Sequence, residues 1–288
     1  MNVRVRFAKY GAVKFIGHLD VLRYFQKAVR RSGLKIAYSQ GFHPHQIMSF
    51  ASPLGVGITS EGEYMDMELV ADYTPQEIVD ALNTAMVEGF TVLSAHILPD
   101  PENGRKRETA MSLVTAADYL VTVKENDTFF ATKSLEELNN AWVRFYGQES
   151  ISVIKKVKKS NSETEVDLKP FLYSAVVETG IAGDSVSDAA GESSDVTLPA
   201  VAKHPNAKDF YEVPEIPDFA AEQKTICAEK GLFSVLLRVS AGSADNIKPE
   251  LVMEAFARFL GCEIPEALKY QIHRLDMYTG EHPELKRL

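Results

Sequence analysis

Four polar side chains near the N-terminus could together form a chemical site: His18, Asp20, His43 and His45. His18 and Asp20 fall in the first turn of a predicted helix, where free backbone N–H groups favour an anion. An imidazole and a nearby guanidinium add further donors for a phosphate. One interpretation is a pocket in which His18, Arg23 and the loop around His43 bind a phosphate or the edge of a nucleotide. The alternative is that His18 and Asp20 cap the helix while His43 lies exposed in a turn.

Two other chemistries would use the same residues. His43 and His45, with His18 or Asp20, could supply the three protein ligands of a catalytic zinc. Their spacing is not an established zinc pattern, so the sequence predicts no metal site. His18, Asp20 and His43 are also candidate catalytic residues, because an imidazole titrates near neutral pH and could act as general acid or base in RNA cleavage.

A basic face is predicted on the helix that positions this site, from His18 to about Ser32. Its buried stripe, at three-and-four spacing, comprises Leu19, Leu22, Phe25, Ala28 and Val29. Basic residues occupy the opposite face, and tyrosines lie near them in the sequence, as on many RNA-binding surfaces. The predicted RNA- or phosphate-binding residues are Arg23, Lys27, Arg30, Arg31, Tyr38, Gln40, His43 and His45. The alternative is a solvated helix face without function.

The distribution of charge supports a local anion-binding face. The whole chain of 288 residues has a net charge of −9, which argues against indiscriminate coating of nucleic acid. Residues 1–50 nevertheless contain nine basic residues and one acidic residue, so this part carries +8 and the remainder −17. A basic N-terminal region on an otherwise acidic molecule suggests one face that binds an anion.

Composition also bears on compartment and cofactors. Two cysteines, Cys227 and Cys262, are too few for a disulfide framework, a cysteine-rich zinc site or an iron–sulfur cluster motif, and the sequence predicts no cofactor. The N-terminal residues alternate basic with apolar side chains and do not form the apolar stretch of a signal peptide. Without an apolar stretch of membrane-spanning length, the expected location is cytoplasmic, with no membrane association.

The pattern of elements predicts an α+β fold. Strands and helices in residues 1–100 follow the order βαββαβ, which is typical of a ferredoxin-like lobe with the basic helix as its first helix. After a linker with two prolines, the order recurs in residues 108–288 as a second ferredoxin-like lobe, interrupted by a long loop insertion at about 178–230. We therefore predict two lobes related by internal duplication.

Several segments resemble one known bacterial family. They are residues 15–23 (FIGHLDVLR), 30–34 (RRSGL), 37–44 (AYSQGFHP), 49–57 (SFASPLGVG), 60–66 (SEGEYMD), 165–170 (EVDLKP) and 246–251 (NIKPEL). Together they are similar to the radical-SAM-linked protein family, an uncharacterised DUF2344-type domain. The sequence departs from that pattern at Gly17, where a serine is expected, and in the length of the 178–230 insertion. A glycine there offers no side-chain acceptor to cap the helix.

The resemblance implies a role beside another protein. Members of the family are fused to radical SAM proteins or encoded near them, sometimes with a ribonuclease of the E/G type. This chain lacks the three-cysteine cluster motif, so cluster chemistry would belong to a radical SAM partner. The resemblance thus implies an accessory or substrate-binding protein.

Three hypotheses follow from these observations. The first is an accessory protein that works with a radical SAM enzyme in RNA or ribosome-related modification, and it favours a binding role over catalysis. The second is a metal-independent ribonuclease-like enzyme that uses His18 and His43. The third is a protein–protein adaptor that binds no RNA.

Overall fold

The protein is described by a computed structural model that covers residues 1–101, 107–157, 162–178, 208–243 and 245–288. The α-helices in these ranges are α1 (His18–Ser32), α2 (Pro75–Ala85), α3 (Ala110–Leu113), α4 (Leu135–Tyr146), α5 (Ala221–Lys230) and α6 (Pro249–Phe259). The strands are β1 (Asn2–Lys9), β2 (Met48–Phe50), β3 (Thr59–Glu68), β4 (Phe90–Leu98), β5 (Ala116–Val123), β6 (Ser152–Val157), β7 (Ser162–Asp167), β8 (Leu172–Val177), β9 (Phe210–Glu212), β10 (Ser234–Ser240), β11 (Tyr270–Thr279) and β12 (Lys286–Arg287). The predicted α+β class is confirmed.

The described chain divides into two compact units. The first comprises the described residues of Met1–Thr115, Val201–Phe219 and Arg274–Leu288, and the second those of Ala116–Ala200 and Ala220–His273. The boundary therefore falls within β11, whose first four residues belong to the second unit. Within the described residues, no helix has the length and apolar character needed to cross a bilayer.

The first unit is built on an antiparallel sheet in the order β2–β3–β1–β4–β9. Helices α1 and α2 pack on one face of it. The core beneath them contains Val3, Val5, Phe7, Val21, Phe25, Val29, Met65, Met67, Ile78, Val79, Leu82, Phe90 and Val92. The last six residues of β11 belong to this unit, and β11 is hydrogen-bonded to β3.

Local sequence signals explain where the helices of this unit begin and end. Pro75 stands at the start of α2, and Thr74 caps it through a reciprocal pair in which Glu77 N–H donates to Thr74 Oγ1 at 3.2 Å and Thr74 N–H donates to Glu77 Oε2 at 2.7 Å. Helix α1 ends at Gly33, which has a left-handed φ of 79°. Its N-cap, Gly17, makes no side-chain cap, so the expectation drawn from this glycine is confirmed.

The second unit has an antiparallel sheet in the order β8–β10–β5, with β11 next to β5. Helices α4 and α6 contribute to an aromatic core in which Trp142 lies 4.8 Å from Phe256 and 5.4 Å from Phe145 between ring centroids. The Trp142 indole N–H donates to the carbonyl of Ala175 on β8 at 3.2 Å. This hydrogen bond satisfies the one polar atom that the buried ring carries.

The second unit departs from a simple βαββαβ order in two places. Strand β6 pairs with β7 in a separate two-stranded sheet. A short 3₁₀ turn at Lys169–Phe171 separates β7 from β8. Pro170 lies in this turn and has no N–H to donate to a continuous strand ladder.

The two units place corresponding elements in the same order. In the first unit, β1, α1, β2, β3, α2 and β4 follow one another, and the sheet order is β2–β3–β1–β4. In the second, β5, α4, β8, β10, α6 and β11 follow one another around the added elements, and the sheet order is β8–β10–β5–β11. Residues 179–207 of the predicted insertion lie outside the described residues, whereas 208–230 contain β9 and α5 rather than only loop.

Candidate functional site

The basic face of α1 is present, and its members differ in what they contact. Arg23, Lys27 and Arg30 are exposed. Arg23 lies 3.2 Å from the exposed Asp20 carboxylate, a pair of the kind that contributes little in water. Within the described residues, Lys27 and Arg30 form no ion pair. Arg31 instead donates to the carbonyl of Ala85 at the end of α2, at 2.8 Å, so it fastens two helices together.

The segment 38–46 forms a closed loop beside α1. Tyr38 and Gln46 form a β-bridge at its base, and Ser39 N–H donates to the carbonyl of His45 at 2.8 Å. Ser39 Oγ also lies 2.8 Å from His45 Nδ1. The buried Gln46 side chain donates from Nε2 to the carbonyl of Gln26 in α1 at 3.2 Å. The base of the loop is therefore held against the helix that carries the basic side chains.

The tip of this loop presents side chains to solvent. Gln40, Phe42 and His43 are all exposed. Phe42 is 101% exposed and Tyr38 48% exposed, which is unusual for aromatic side chains of this size. Gly41 allows the tight tip, because its φ of 112° is accessible mainly to glycine. The loop therefore displays aromatic rings that make few contacts with the rest of the chain.

The candidate catalytic residues His18, Asp20 and His43 each contact different neighbours. His18 is half-buried, with its ring edge-on to Phe50 at 5.6 Å between centroids. Asp20 is exposed and contacts Arg23. No hydrogen bond or ion pair joins His18, Asp20 and His43 in the described chain. Among the described residues, no group of three or more His, Cys, Asp or Glu side chains is arranged to hold a metal ion, so the zinc alternative receives no support from the geometry.

Helix α1 and the 38–46 loop lie in a part of the chain that matches a known protein family. The family model described as "Uncharacterized protein conserved in bacteria (DUF2344)" matches residues 2–198, more than half of the chain. The chain belongs to this family. No curated protein matches it. The basic face of α1, the 38–46 loop and strands β1 to β4 all lie within the region that the DUF2344 model covers.

The first unit also contains buried charged residues that the sequence interpretation did not single out. Arg274 of β11 donates to Glu63 of β3 from Nε at 2.9 Å and from Nη2 at 2.5 and 2.6 Å, and it also donates to the carbonyl of Ser52 at 3.1 Å. Lys9, only 2% exposed, donates to the carbonyl of Ile16 at 3.1 Å. Desolvation lowers the pKa of Lys9, and Glu63 partly opposes this effect. Lys9, Glu63 and His18 line one small cavity.

A second buried group lies in the same unit. Tyr64 donates its hydroxyl to Asp276 Oδ1 at 2.6 Å, and Arg6 lies 3.8 Å from Asp276 Oδ2. Burial raises the pKa of Tyr64 well above its ordinary value, and the Asp276 carboxylate adds to this shift. Arg4 is similarly paired with Asp66 at 2.8 Å. Three of the nine basic residues in 1–50 are therefore buried, and four of the five exposed ones lie on α1.

Strand periodicity could have indicated some of these residues. Lys9 continues the alternation of Val3, Val5 and Phe7, whose side chains face the core. Glu63 is in phase with Met65 and Met67 on β3, and it is paired with Phe7 across the sheet. A lysine and a glutamate in the core-facing phase of neighbouring strands predict a buried charge pair. Arg274 has no such local signal, because it lies 211 residues from Glu63.

Proposed function

We propose that this protein is an accessory, substrate-binding partner of a radical SAM enzyme, and that it binds RNA in RNA or ribosome-related modification. The partner is inferred from the family resemblance. The RNA-binding role is supported by one observation above all: the Gln46–Gln26 hydrogen bond holds a loop with exposed aromatic rings against α1, the helix that carries the exposed Arg23, Lys27 and Arg30. We call the side chains of Arg23, Lys27, Arg30, Tyr38, Gln40, Phe42, His43 and His45 the α1–loop surface.

The composition of this surface suits single-stranded RNA. Cationic side chains neutralise phosphates and release counterions, which supplies affinity without sequence preference. Exposed aromatic rings stack on unpaired bases, each worth about 1–3 kcal/mol. Gln40 and the two histidines of the loop add hydrogen-bonding groups for base edges or phosphates. A net negative protein with one such surface would bind RNA there and repel it elsewhere.

We also propose that both units are ferredoxin-like lobes that arose by internal duplication. The support is the correspondence in element order and sheet order between β1–β4 with their helices and β5, β8, β10 and β11 with theirs. In this proposal β6, β7 and α5 are additions to the second lobe. The α1–loop surface belongs to the first lobe alone.

Reversing the charge of α1 tests the RNA proposal. The triple variant Arg23→Glu, Lys27→Glu, Arg30→Glu is expected to bind bacterial small RNA at least about tenfold more weakly at low salt, and its plot of log K against log salt is expected to be shallower by about two, since each single-strand phosphate contact contributes about 0.7. Arg31 is kept because it joins α1 to α2. Binding would be measured by fluorescence anisotropy across a salt series.

A matched control makes the same change in net charge elsewhere. The variant Arg144→Glu, Lys248→Glu, Lys269→Glu alters three exposed cations of the second unit and is expected to retain most of the RNA affinity. An equal loss of RNA affinity in both variants would mean that net charge, rather than the α1–loop surface, determines binding. Equally weak binding by the wild type and both variants would contradict RNA binding and favour the protein–protein adaptor, to be sought by co-purification.

The aromatic loop makes a separate prediction about the form of RNA that binds. Phe42→Ala is expected to weaken binding to a single-stranded oligonucleotide by about 1–3 kcal/mol while leaving the salt dependence unchanged, because stacking is lost and phosphate contacts are kept. Phe42 has no buried contacts to lose, so the melting temperature should not change. The same affinity for single-stranded and fully duplexed RNA in the wild type would contradict a stacking role.

A further inference from the structure

The second unit contains a cavity of about 320 Å³ that is separate from the α1–loop surface. It lies between the end of β5, helix α5 and the start of β11. Side chains that line it include Lys124, Asn126, Ile226, Leu232 and Gln271. This volume is at the lower end of the range for small-molecule sites, which combine apolar walls with a few polar groups.

Helix α5 is held over the cavity mainly by polar contacts. Its buried members are Gln223 and Cys227, and Ile226 is only half-buried. Gln223 donates from Nε2 to Thr122 Oγ1 at 2.8 Å and to the carbonyl of Gln271 at 3.2 Å. Its other amide atom, Oε1, is buried and accepts no hydrogen bond in the described chain. Because little apolar surface fixes this helix, a ligand that fills the cavity would add packing against Ile226 and stabilise it.

The polar groups of the cavity indicate the chemistry of that ligand. Lys230 is paired with Glu125 at 2.5 Å, so these two charges offset each other. Lys124 forms no ion pair with a described residue, so its charge is available to bind an anion. The carboxamides of Asn126 and Gln271 make no side-chain hydrogen bond within the described part of the chain, and each offers a donor and an acceptor. One cation, two carboxamides and an apolar wall therefore face the same space.

We propose that this cavity binds a free nucleoside monophosphate. Lys124 binds the phosphate, Asn126 and Gln271 hydrogen-bond the edge of the base, and Ile226 and Leu232 contact its faces. Carboxamides recognise base edges because they present a donor beside an acceptor, as the bases do. The proposal does not depend on RNA binding, since it concerns different residues in the other unit.

The test uses AMP, CMP, GMP and UMP as probes with the full chain, by isothermal titration calorimetry in low salt. At least one of them is expected to bind with Kd below about 1 mM, and its nucleoside is expected to bind at least tenfold more weakly because it lacks the phosphate. Hydrogen exchange in α5 should slow on binding. Ile226→Trp, which fills the cavity, is expected to weaken binding at least tenfold, whereas Thr225→Trp on the exposed side of α5 should not.

Lys124→Ala provides a variant that does not disturb packing, because this side chain is exposed. This variant should bind the nucleotide about tenfold more weakly than the wild type does. Its affinity for the nucleoside, which is already lower, should not change. Failure of all four nucleotides to bind, or equal binding to wild type, Ile226→Trp and Lys124→Ala, would overturn the proposal. If the α1 variants lose RNA binding but still bind the nucleotide, the proposal of a nucleotide site in the second unit is retained.

Discussion

Glu63→Gln is expected to destabilise the protein by about 3–5 kcal/mol, because it removes the negative charge that faces two buried cations. Arg274 is bound to both carboxylate oxygens of Glu63, and Lys9 is buried on the adjacent strand. Glutamine keeps the shape of the side chain but removes the carboxylate charge that faces these cations in a region of low dielectric. Urea denaturation should show a lower midpoint with an unchanged slope.

Two controls separate the loss of charge from other effects. Glu88→Gln changes an exposed carboxylate and should alter the free energy of unfolding by no more than about 0.5 kcal/mol. The double variant Glu63→Gln, Arg274→Met should regain part of the loss, since it also removes the buried guanidinium that Glu63 bound. A loss below about 1 kcal/mol in Glu63→Gln would mean that water or another group compensates the cations, contrary to the geometry.

The helices near the candidate site were predictable because their signals are local. The interpretation of α1 as running from His18 to about Ser32 agrees with the observed His18–Ser32, although Leu19 of its predicted buried stripe is exposed. Pro75 and Pro249 mark the first residues of α2 and α6. Each of these boundaries depends on side chains within a few residues of one another, so the sequence contains the information directly.

Helix α5 and strand β9 were both missed because their sequences lack a periodic apolar pattern. The sequence of α5, AEQKTICAEK, has no apolar stripe, since Gln223 fills a buried position through hydrogen bonds. Strand β9 is only three residues long within a proline-containing stretch, and it exists because Phe210–Glu212 pair with β4. Neither element has the periodicity from which a segment can be identified, because tertiary contacts determine both.

The candidate site was predictable in composition but not in arrangement. The basic side chains and the loop were identified from residue types, yet the Gln46–Gln26 contact that joins them depends on packing across 20 residues. Arg31 was predicted to bind RNA or phosphate, but its side chain donates to the carbonyl of Ala85, which is 54 residues away in the sequence. Charge asymmetry overstated the exposed basic surface, because Arg4 and Arg6 are buried in ion pairs with residues of distant strands and Lys9 is buried as well.

Gly62→Ala is expected to destabilise the protein by about 2–4 kcal/mol, although alanine is only one methyl larger. A Cβ at this position would lie 2.4 Å from Asp276 Cα and 2.6 Å from the carbonyl oxygen of Leu275. Both are backbone atoms of β11, so a rotamer change cannot relieve the overlap. A glycine within a strand of this kind marks the close approach of another backbone. It also explains why the family-like segment 60–66 has glycine between two glutamates.

Gly17→Ser is the matched control, because a Cβ there meets no atom within 4 Å and the position is the uncapped N-cap of α1. Serine should supply the missing acceptor and change stability by only a few tenths of a kcal/mol, in the stabilising direction. Thermal melting followed by circular dichroism would compare the two variants. If Gly62→Ala has the same melting temperature as the wild type, β11 does not lie as close to β3 as the structure shows. The contact between Arg274 and Glu63, the residue next to Gly62, would then need the same revision.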